Sequence, residues 1–565
     1  MRTFWIKGFF LLFFLAILAR LYYWQVMMAP FLQSLAEDQY FTQAQVEALR
    51  GNIYFSDNSI LASSNPSFTI FGLPKTLSKD QKLEVSYKLA RILVDEGENI
   101  DDLAKNFIKR MEGDLFWVLL KKDLSLQKKK EIENLKLPGI GFDKSSTRFY
   151  PEGSSSAHLL GFVGIGAKGA NKGYFGLEGY YDGELKGVSG LIRHEKDALG
   201  LPILIGNFYN SEAKNGKDLS LNIDRSIQFI VERSLKKGLE KYGASAASVV
   251  VMDPKTGAIL ALASYPNYDP LRYFDFPKEY YKNSVVANQY EPGSTFKVLV
   301  MAAVLSENLV KPDTKCDICS GPVSIGGFDI RTWDNKYRPD LTMTDIIIHS
   351  DNTGMVYVGK KLGLDKFYSY ISNFGFGNPT NIDLQDESSP DIRIKKDWRE
   401  IDLATTSFGQ GIAVTPIQMI TAVSSIANGG NLMEPHIVKE IKDNSSVFEI
   451  KPKIVRQVLK PEATIAVKEM MVRAVEEGEA KFYRLKGFKV AGKTGTAQIP
   501  VAGHYDPNQT IATFVGFAPA DNPKFVMLVK YDQPTASIFG AETAAPTFFE
   551  IAKELFTYFR IAPTE

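Results

Sequence analysis

Glu291-Pro292-Gly293-Ser294-Thr295-Phe296-Lys297, running into the apolar stretch Val298–Leu305, is the segment on which the reading of this chain turns. Pro-Gly marks a turn, and Ser294 opens a helix behind it. A spacing of three residues puts Ser294 and Lys297 on one helix face, so their tips can meet. A serine hydroxyl is a poor nucleophile until a neighbouring base takes its proton. A lysine desolvated near a helix N-terminus can be that base, because burial and the positive helix end both lower its pKa. The helix start also offers a free backbone N–H at Ser294 for an oxyanion.

Two later motifs supply what such a nucleophile lacks. In Ser350-Asp351-Asn352, Ser350 can relay a proton between Lys297 and a leaving group, and Asn352 can hold a substrate carbonyl or orient Lys297. Lys493-Thr494-Gly495-Thr496, led by Lys489-Val490-Ala491, reads as a strand with a lysine facing a cleft. The Thr494 and Thr496 hydroxyls suit a substrate carboxylate, with Lys493 adding positive charge. Gly495 lets a substrate backbone lie against the strand edge, and the N–H of Thr496 is a second oxyanion donor.

The elements around these motifs mix helix and strand. Asp218–Ile223 alternates as a strand and 225–242 (RSIQFIVERSLKKGLEKY) is an amphipathic helix. Ser248–Met252 and Ala258–Ala263 read as buried strands around the turn Asp253–Gly257. Further strands fall near 511–531 and a closing helix over 543–560. This is an α+β domain, expected to occupy 216–565 after a polar break near 205–216.

The N-terminal half has its own organisation. Phe9–Ala19 is continuously apolar and Leu21–Met28 extends it past Arg20, approaching the length that crosses a bilayer. Arg2 and Lys7 precede the run and Glu37-Asp38 follow it, so positive-inside logic gives a cytoplasmic tail (1–7), an anchor (8–28) and everything else outside. Tyr22, Tyr23 and Trp24 suit the outer interface, with Arg20 snorkelling. A cleaved signal peptide needs a small-x-small site, but Ala16 and Ala19 are separated by two residues, not one. Residues 29–50 read as a helix or extended stalk, and 51–62 as two short strands joined at Asp57-Asn58. Residues 78–134 read as several amphipathic helices, and the glycine-dense stretch 138–200 as turns and close backbone approaches.

The ordered triple S-x-x-K, S-x-N and K-T-G-T is the motif set of β-lactamases and penicillin-binding proteins, and along nearly its whole length the chain resembles a class B penicillin-binding protein. Arg50-Gly51 with Asp57…Leu61-Ala62 is similar to the start of that family's non-catalytic pedestal. Arg148–Gly153, Ala157-His158, Gly161–Gly164, Gly176-Leu177-Glu178-Gly179 and Leu185–Gly190 resemble its next blocks, and Ser407–Gly411 with Thr415-Pro416 the segment flanking its active site. The resemblance implies a pedestal over 29–210, dimerisation-type, below a transpeptidase domain. It also implies catalytic roles for Ser294, Lys297, Ser350, Asn352 and Lys493, and substrate binding by Thr494, Gly495 and Thr496. The substrates implied are peptidoglycan stem peptides, a D-Ala–D-Ala donor and an amine acceptor, with β-lactams trapping Ser294. A SEDS-type glycosyltransferase and divisome membrane proteins are the implied partners, with no metal or organic cofactor. Gly516–Ala520 and Asp182…Leu185-Lys186-Gly187 resemble the division branch more than the elongation branch.

Other readings are narrower. A net charge of +1 carries no global signal for nucleic acid. Cys316-Asp317-Ile318-Cys319 lacks the four ligands of a zinc site, and is expected to be a local disulfide or a free pair. The five histidines show no metal-ligand spacing, and His158 is expected to be structural. A carboxypeptidase or β-lactamase would use the same motifs with water as acceptor, and fast β-lactam hydrolysis needs an activating glutamate between Ser350 and Lys493, for which Glu387 and Glu400 are candidates. A non-enzymatic β-lactam-binding scaffold is the remaining alternative.

Overall fold

A computed structural model of the chain describes residues 2–563, apart from 96, 114, 167–170, 196–207, 444 and 502–503. Gly169 of the glycine-dense stretch and residues 205–207 of the expected boundary lie outside the described residues. The chain divides into two compact units: 1–50, 64–147 and 186–216 form one, and 51–63, 148–185 and 217–565 the other.

The first unit begins with the helix Arg2–Tyr22, continued by a π-helical turn Tyr23–Met27. None of its residues is buried, and Arg2–Met27 is apolar enough, at a mean hydropathy of 2.0, to cross a membrane. The Arg20 guanidinium lies over the Trp24 and Tyr23 rings, 5.3 and 5.8 Å from their centroids. The expected stalk is a helix, Ala29–Tyr40, followed by a strand, Phe41–Val46, which pairs antiparallel with Gly190–Glu195. Three helices follow in the expected region, Lys79–Leu93, Ile100–Met111 and Leu126–Asn134. Each starts on a side chain that accepts from its first turn: Ser78, in a capping box with Gln81, then Asn99 and Ser125. The strand Val118–Leu124 between them has no period-two signal to announce it, because Lys121-Lys122-Asp123 interrupts its apolar residues. Its pairing with Phe68–Gly72 closes a small core of Ile70, Leu89, Leu93, Phe107 and Leu120.

The second unit is built on a five-stranded antiparallel sheet in the order Ile259–Tyr265, Ala246–Met252, Phe525–Asp532, His504–Ala518, Ala491–Val501. Both faces are buried, which is why the inner strand Ala246–Met252 reads Val249-Val250-Val251-Met252 without a polar alternate. Val249, Val251 and Phe514 pack under the helices Arg225–Tyr242 and Ala544–Tyr558. Val250, Met252, Val515 and Phe517 face a larger cluster that includes the helices Lys297–Ser306, Pro416–Ala427 and Pro461–Glu476. All ten residues of Lys297–Ser306 are buried. A helix apolar all round has to be central, so the segment carrying the first motif is the core of this unit. Of the two short strands expected at 51–62, the first is Ile53–Tyr54, while the second, Ile60–Gly72, is 13 residues long and runs well past 62; Asn58 has φ +65° in the turn between them. In the same unit Arg148 forms a buried ion pair with Glu178 at 2.6 Å and donates to the Gly51 carbonyl at 2.7 Å, joining three of the sequence blocks quoted above.

Cys316 and Cys319 are disulfide-bonded. His158 is buried with Nε2 at 2.9 Å from the Tyr280 carbonyl, and burial brings its pKa down to about 4. It is a neutral core histidine. Among the described residues no group of three or more His, Cys, Asp or Glu could hold a metal ion.

Candidate active site

Gly293–Phe296 is one turn of 3₁₀ helix, and the α-helix proper begins at Lys297, not at Ser294. In a 3₁₀ turn residues three apart lie on one face, which keeps Ser294 and Lys297 on the same side of the turn. The turn is held from outside. The Gly293 N–H donates to the Gly409 carbonyl at 3.0 Å. Gly409 has φ +83°, and a Cβ on it would fall 2.1 Å from the Gly293 carbonyl oxygen. This backbone contact accounts for Gly409 in the segment Ser407–Gly411.

Lys297 is buried completely, and its Nζ is the hub of the site. It donates to the Ser350 carbonyl at 2.6 Å, to Asn352 Oδ1 at 2.8 Å and to Ser350 Oγ at 3.3 Å. Burial, and next the positive charge of Lys493, bring its pKa down to about 7; Asp351 and Glu479 oppose the shift. Ser350 follows the helix Met343–Ile348 with φ +55°, a left-handed position that a non-glycine residue adopts at a cost. Asp351 caps the helix Asn352–Leu362, accepting from the Gly354 N–H at 2.8 Å. Asn352 Nδ2 donates to the Arg331 carbonyl at 3.0 Å, which orients its oxygen towards Lys297.

The third motif lies on the edge strand Ala491–Val501. Lys493 is buried and donates to Thr494 Oγ1 at 3.1 Å; burial lowers its pKa, and Glu479 opposes that. Thr496 Oγ1 accepts from the Gly540 N–H at 3.0 Å. Gly495 has close neighbours within the protein. A Cβ on it would fall 2.4 Å from Thr513 Oγ1, 2.9 Å from Thr295 Cγ2 and 3.1 Å from the Pro292 carbonyl. Its missing side chain lets the strand pack onto the serine turn.

Ser294, Ser350, Asn352, Thr494 and Thr496 line one cleft of about 700 Å³. Lys297 and Lys493 are buried beside it and joined to it by the hydrogen bonds above. The cleft also has an aromatic rim not legible in the motifs. Trp333 and Phe539 approach to 6.3 Å between ring centroids, and Phe482 and Tyr483 stand near them. Neither glutamate expected between the second and third motifs reaches the cleft. Glu387 accepts from Thr380 and the Asn381 N–H within its own loop, and Glu400 pairs with Lys360 on the surface. Two glutamates do line the cleft, Glu479 and Glu542, and Glu479 accepts from Thr494 Oγ1 at 2.5 Å. It sits in Glu476-Glu477-Gly478-Glu479, which in sequence reads only as a charged helix end.

Comparison with known proteins gives matches over nearly the whole chain. Residues 247–553 match the penicillin binding protein transpeptidase domain, and residues 45–221 the penicillin-binding protein dimerisation domain. The chain is 35% identical to stage V sporulation protein D of Bacillus subtilis, covering 96% of this chain and 83% of that one. It is 30% identical to a probable peptidoglycan D,D-transpeptidase, PenA, of Neisseria meningitidis, covering 98% and 92%. The crystal structure of a peptidoglycan synthetase from Bifidobacterium adolescentis matches with a TM-score of 0.74 at 28% identity, over 93% of this chain and 98% of that one.

Proposed function

The chain belongs to the class B penicillin-binding proteins, and from that premise we propose that it is a membrane-anchored peptidoglycan D,D-transpeptidase working through an acyl-Ser294 intermediate in septal wall synthesis. The observation that carries the catalytic reading is the buried Lys297 amine, poised near neutral pH and held by Ser350 and Asn352, which line the same cleft as Ser294.

A protonated Lys297 spends all three N–H groups on its three acceptors. The neutral amine needs only two and has a lone pair for the Ser294 proton. Ser294 Oγ then bonds to the penultimate D-Ala carbonyl carbon, with the N–H groups of Ser294 and Thr496 receiving the oxyanion. The C–N bond to the terminal D-Ala breaks, and the proton passes from Lys297 through Ser350 Oγ to the leaving amine. An amine of a neighbouring stem peptide attacks the ester, returns a proton to Ser294 and forms the cross-link. Lys493, Thr494 and Thr496 hold the donor's terminal carboxylate. A β-lactam enters as the donor does, but its leaving nitrogen stays tethered and Ser294 remains acylated.

We take 1–7 as a cytoplasmic tail, 8–28 as the membrane anchor, 29–210 as the pedestal and 216–565 as the catalytic domain, which lies outside the membrane. A polytopic SEDS-type glycosyltransferase and divisome membrane proteins are the partners. The test is acylation of the full-length protein in detergent by a fluorescent penicillin, followed by intact-mass spectrometry. One stable adduct, absent from Ser294→Ala, is expected. An adduct that persists in Ser294→Ala, or one lost within seconds to hydrolysis, would overturn the acyl-Ser294 transpeptidase. A fluorescent fusion confined to the lateral wall would overturn the septal assignment.

A further inference from the structure

Glu479 is an acid in an unusual place. Its Oε2 lies 2.5 Å from Thr494 Oγ1, and Lys493 Nζ lies 3.1 Å from that same hydroxyl. A threonine hydroxyl has one proton. Here it goes to Glu479, while Lys493 donates to the oxygen. In the mechanism proposed above, those two groups receive the donor's carboxylate, so a carboxylate of the protein's own already occupies that position.

The acid is held there by its backbone. A Cβ on Gly478 would fall 2.8 Å from the Ile348 carbonyl oxygen and 2.4 Å from that of Ala474. Gly478 is thus pressed between its own helix and the end of the helix that leads into Ser350. On the other side, Ala480 is buried. The side chain between these fixed points lines the cleft. The charge of Glu479 acts on both Lys297 and Lys493, raising the pKa of each against burial. The other glutamate in the cleft wall, Glu542, accepts from Ser537 and has no hydrogen bond to the three motifs.

We infer that Glu479 is a specificity-determining residue which occupies the donor-carboxylate subsite and weakens the binding of anionic acyl donors, β-lactams among them. The inference rests on the proposed transpeptidase reading. An incoming carboxylate has to displace Glu479 from Thr494 and then sit beside its negative charge. The charge of Lys493 is shared between the two carboxylates, and the acyl donor is held less firmly than Lys493, Thr494 and Thr496 alone would hold it.

The experiment uses the full-length protein and a thioester donor, an N-acyl-D-alanyl thioglycolate, as its free acid and as its methyl ester. Thiol release and intact mass give the acylation rate constants of wild type, Glu479→Gln and Glu479→Asp. The informative quantity is the ratio of the free-acid rate to the ester rate, because any change in Lys297 basicity acts on both donors and cancels. In Glu479→Gln this ratio is expected to rise about 10-fold, through tighter donor binding and not a faster maximal rate. Glu479→Asp keeps the charge at shorter reach and should fall between the two. An unchanged or lower ratio in both variants would overturn the inference, as would an effect confined to a longer-lived acyl-enzyme, which would make Glu479 a base for hydrolysis. Ser294→Ala separates the two levels of the argument. Thioester turnover that survives in it defeats the acyl-Ser294 reading, whereas its loss together with an unchanged ratio defeats only the role of Glu479.

Discussion

Lys297 Nζ lies 2.6 Å from the carbonyl oxygen of Ser350, on a side chain with no exposed surface. Burial brings its pKa from the usual 10.5 down to about 7. Acylation by a penicillin should therefore rise with pH through about 7 as the amine becomes neutral, then level off. Lys297→Arg, which stays charged, should lose at least about 100-fold at every pH. A pH–rate profile of single-turnover acylation checks both.

The same shift has a stability consequence. Between about pH 7 and 10.5 the unfolded chain holds a proton at Lys297 that the folded chain has released. Stability from this site is thus lowest below about pH 7 and rises with pH across that window. Lys297→Met should stabilise the protein most near pH 6, and its advantage should shrink by pH 10. Thermal melts of both proteins across this range give the comparison.

Gly409 and Gly495 both hold the serine turn, but against different neighbours. At Gly409 an added Cβ meets a backbone oxygen at 2.1 Å with φ at +83°; at Gly495 its first contact is the Thr513 hydroxyl, which can turn away. Gly409→Ala should lose about 1–3 kcal/mol from backbone strain and most of its acylation. Gly495→Ala should be milder in stability, yet slow acylation about 10-fold by moving the strand off Thr295 and Pro292. Denaturant midpoints and acylation rates, measured together, separate the two effects.

The Arg148–Glu178 pair is shut away from solvent, with side-chain exposures of 5% and 0%. Glu178→Ala leaves a buried guanidinium without its counter-charge and should cost about 3–5 kcal/mol. The protein that remains folded should acylate at the wild-type rate. A fall in that rate at unchanged stability would contradict a structural role.

Deleting residues 2–28 removes the segment Arg2–Met27, in which no residue is buried. The truncated chain should move from the membrane fraction to the soluble fraction without loss of penicillin acylation. Protease added outside spheroplasts should cleave the full-length protein beyond the anchor if the catalytic domain lies outside.

Much of this was legible in the linear chain because it depends on local physics. Periodicity locates the helix Arg225–Tyr242 and the helical region 78–134, the apolar run marks the anchor, and the three motifs carry their chemistry in residue type and order. The strand Val118–Leu124 was not legible, because its burial comes from partners outside its own segment. Nor was the packing of Gly495 against Thr295 and Pro292, about 200 residues away in the chain. Glu387 and Glu400 were reasonable acids by position, but loop closure and a surface ion pair take them elsewhere. The sequence by itself determined the α+β class, the apolar N-terminal run and the motif residues that meet at the cleft. Only the tertiary structure decided that Lys297 loses its water and that Glu479 faces Thr494, since desolvation and the direction of a side chain are set by what packs around them.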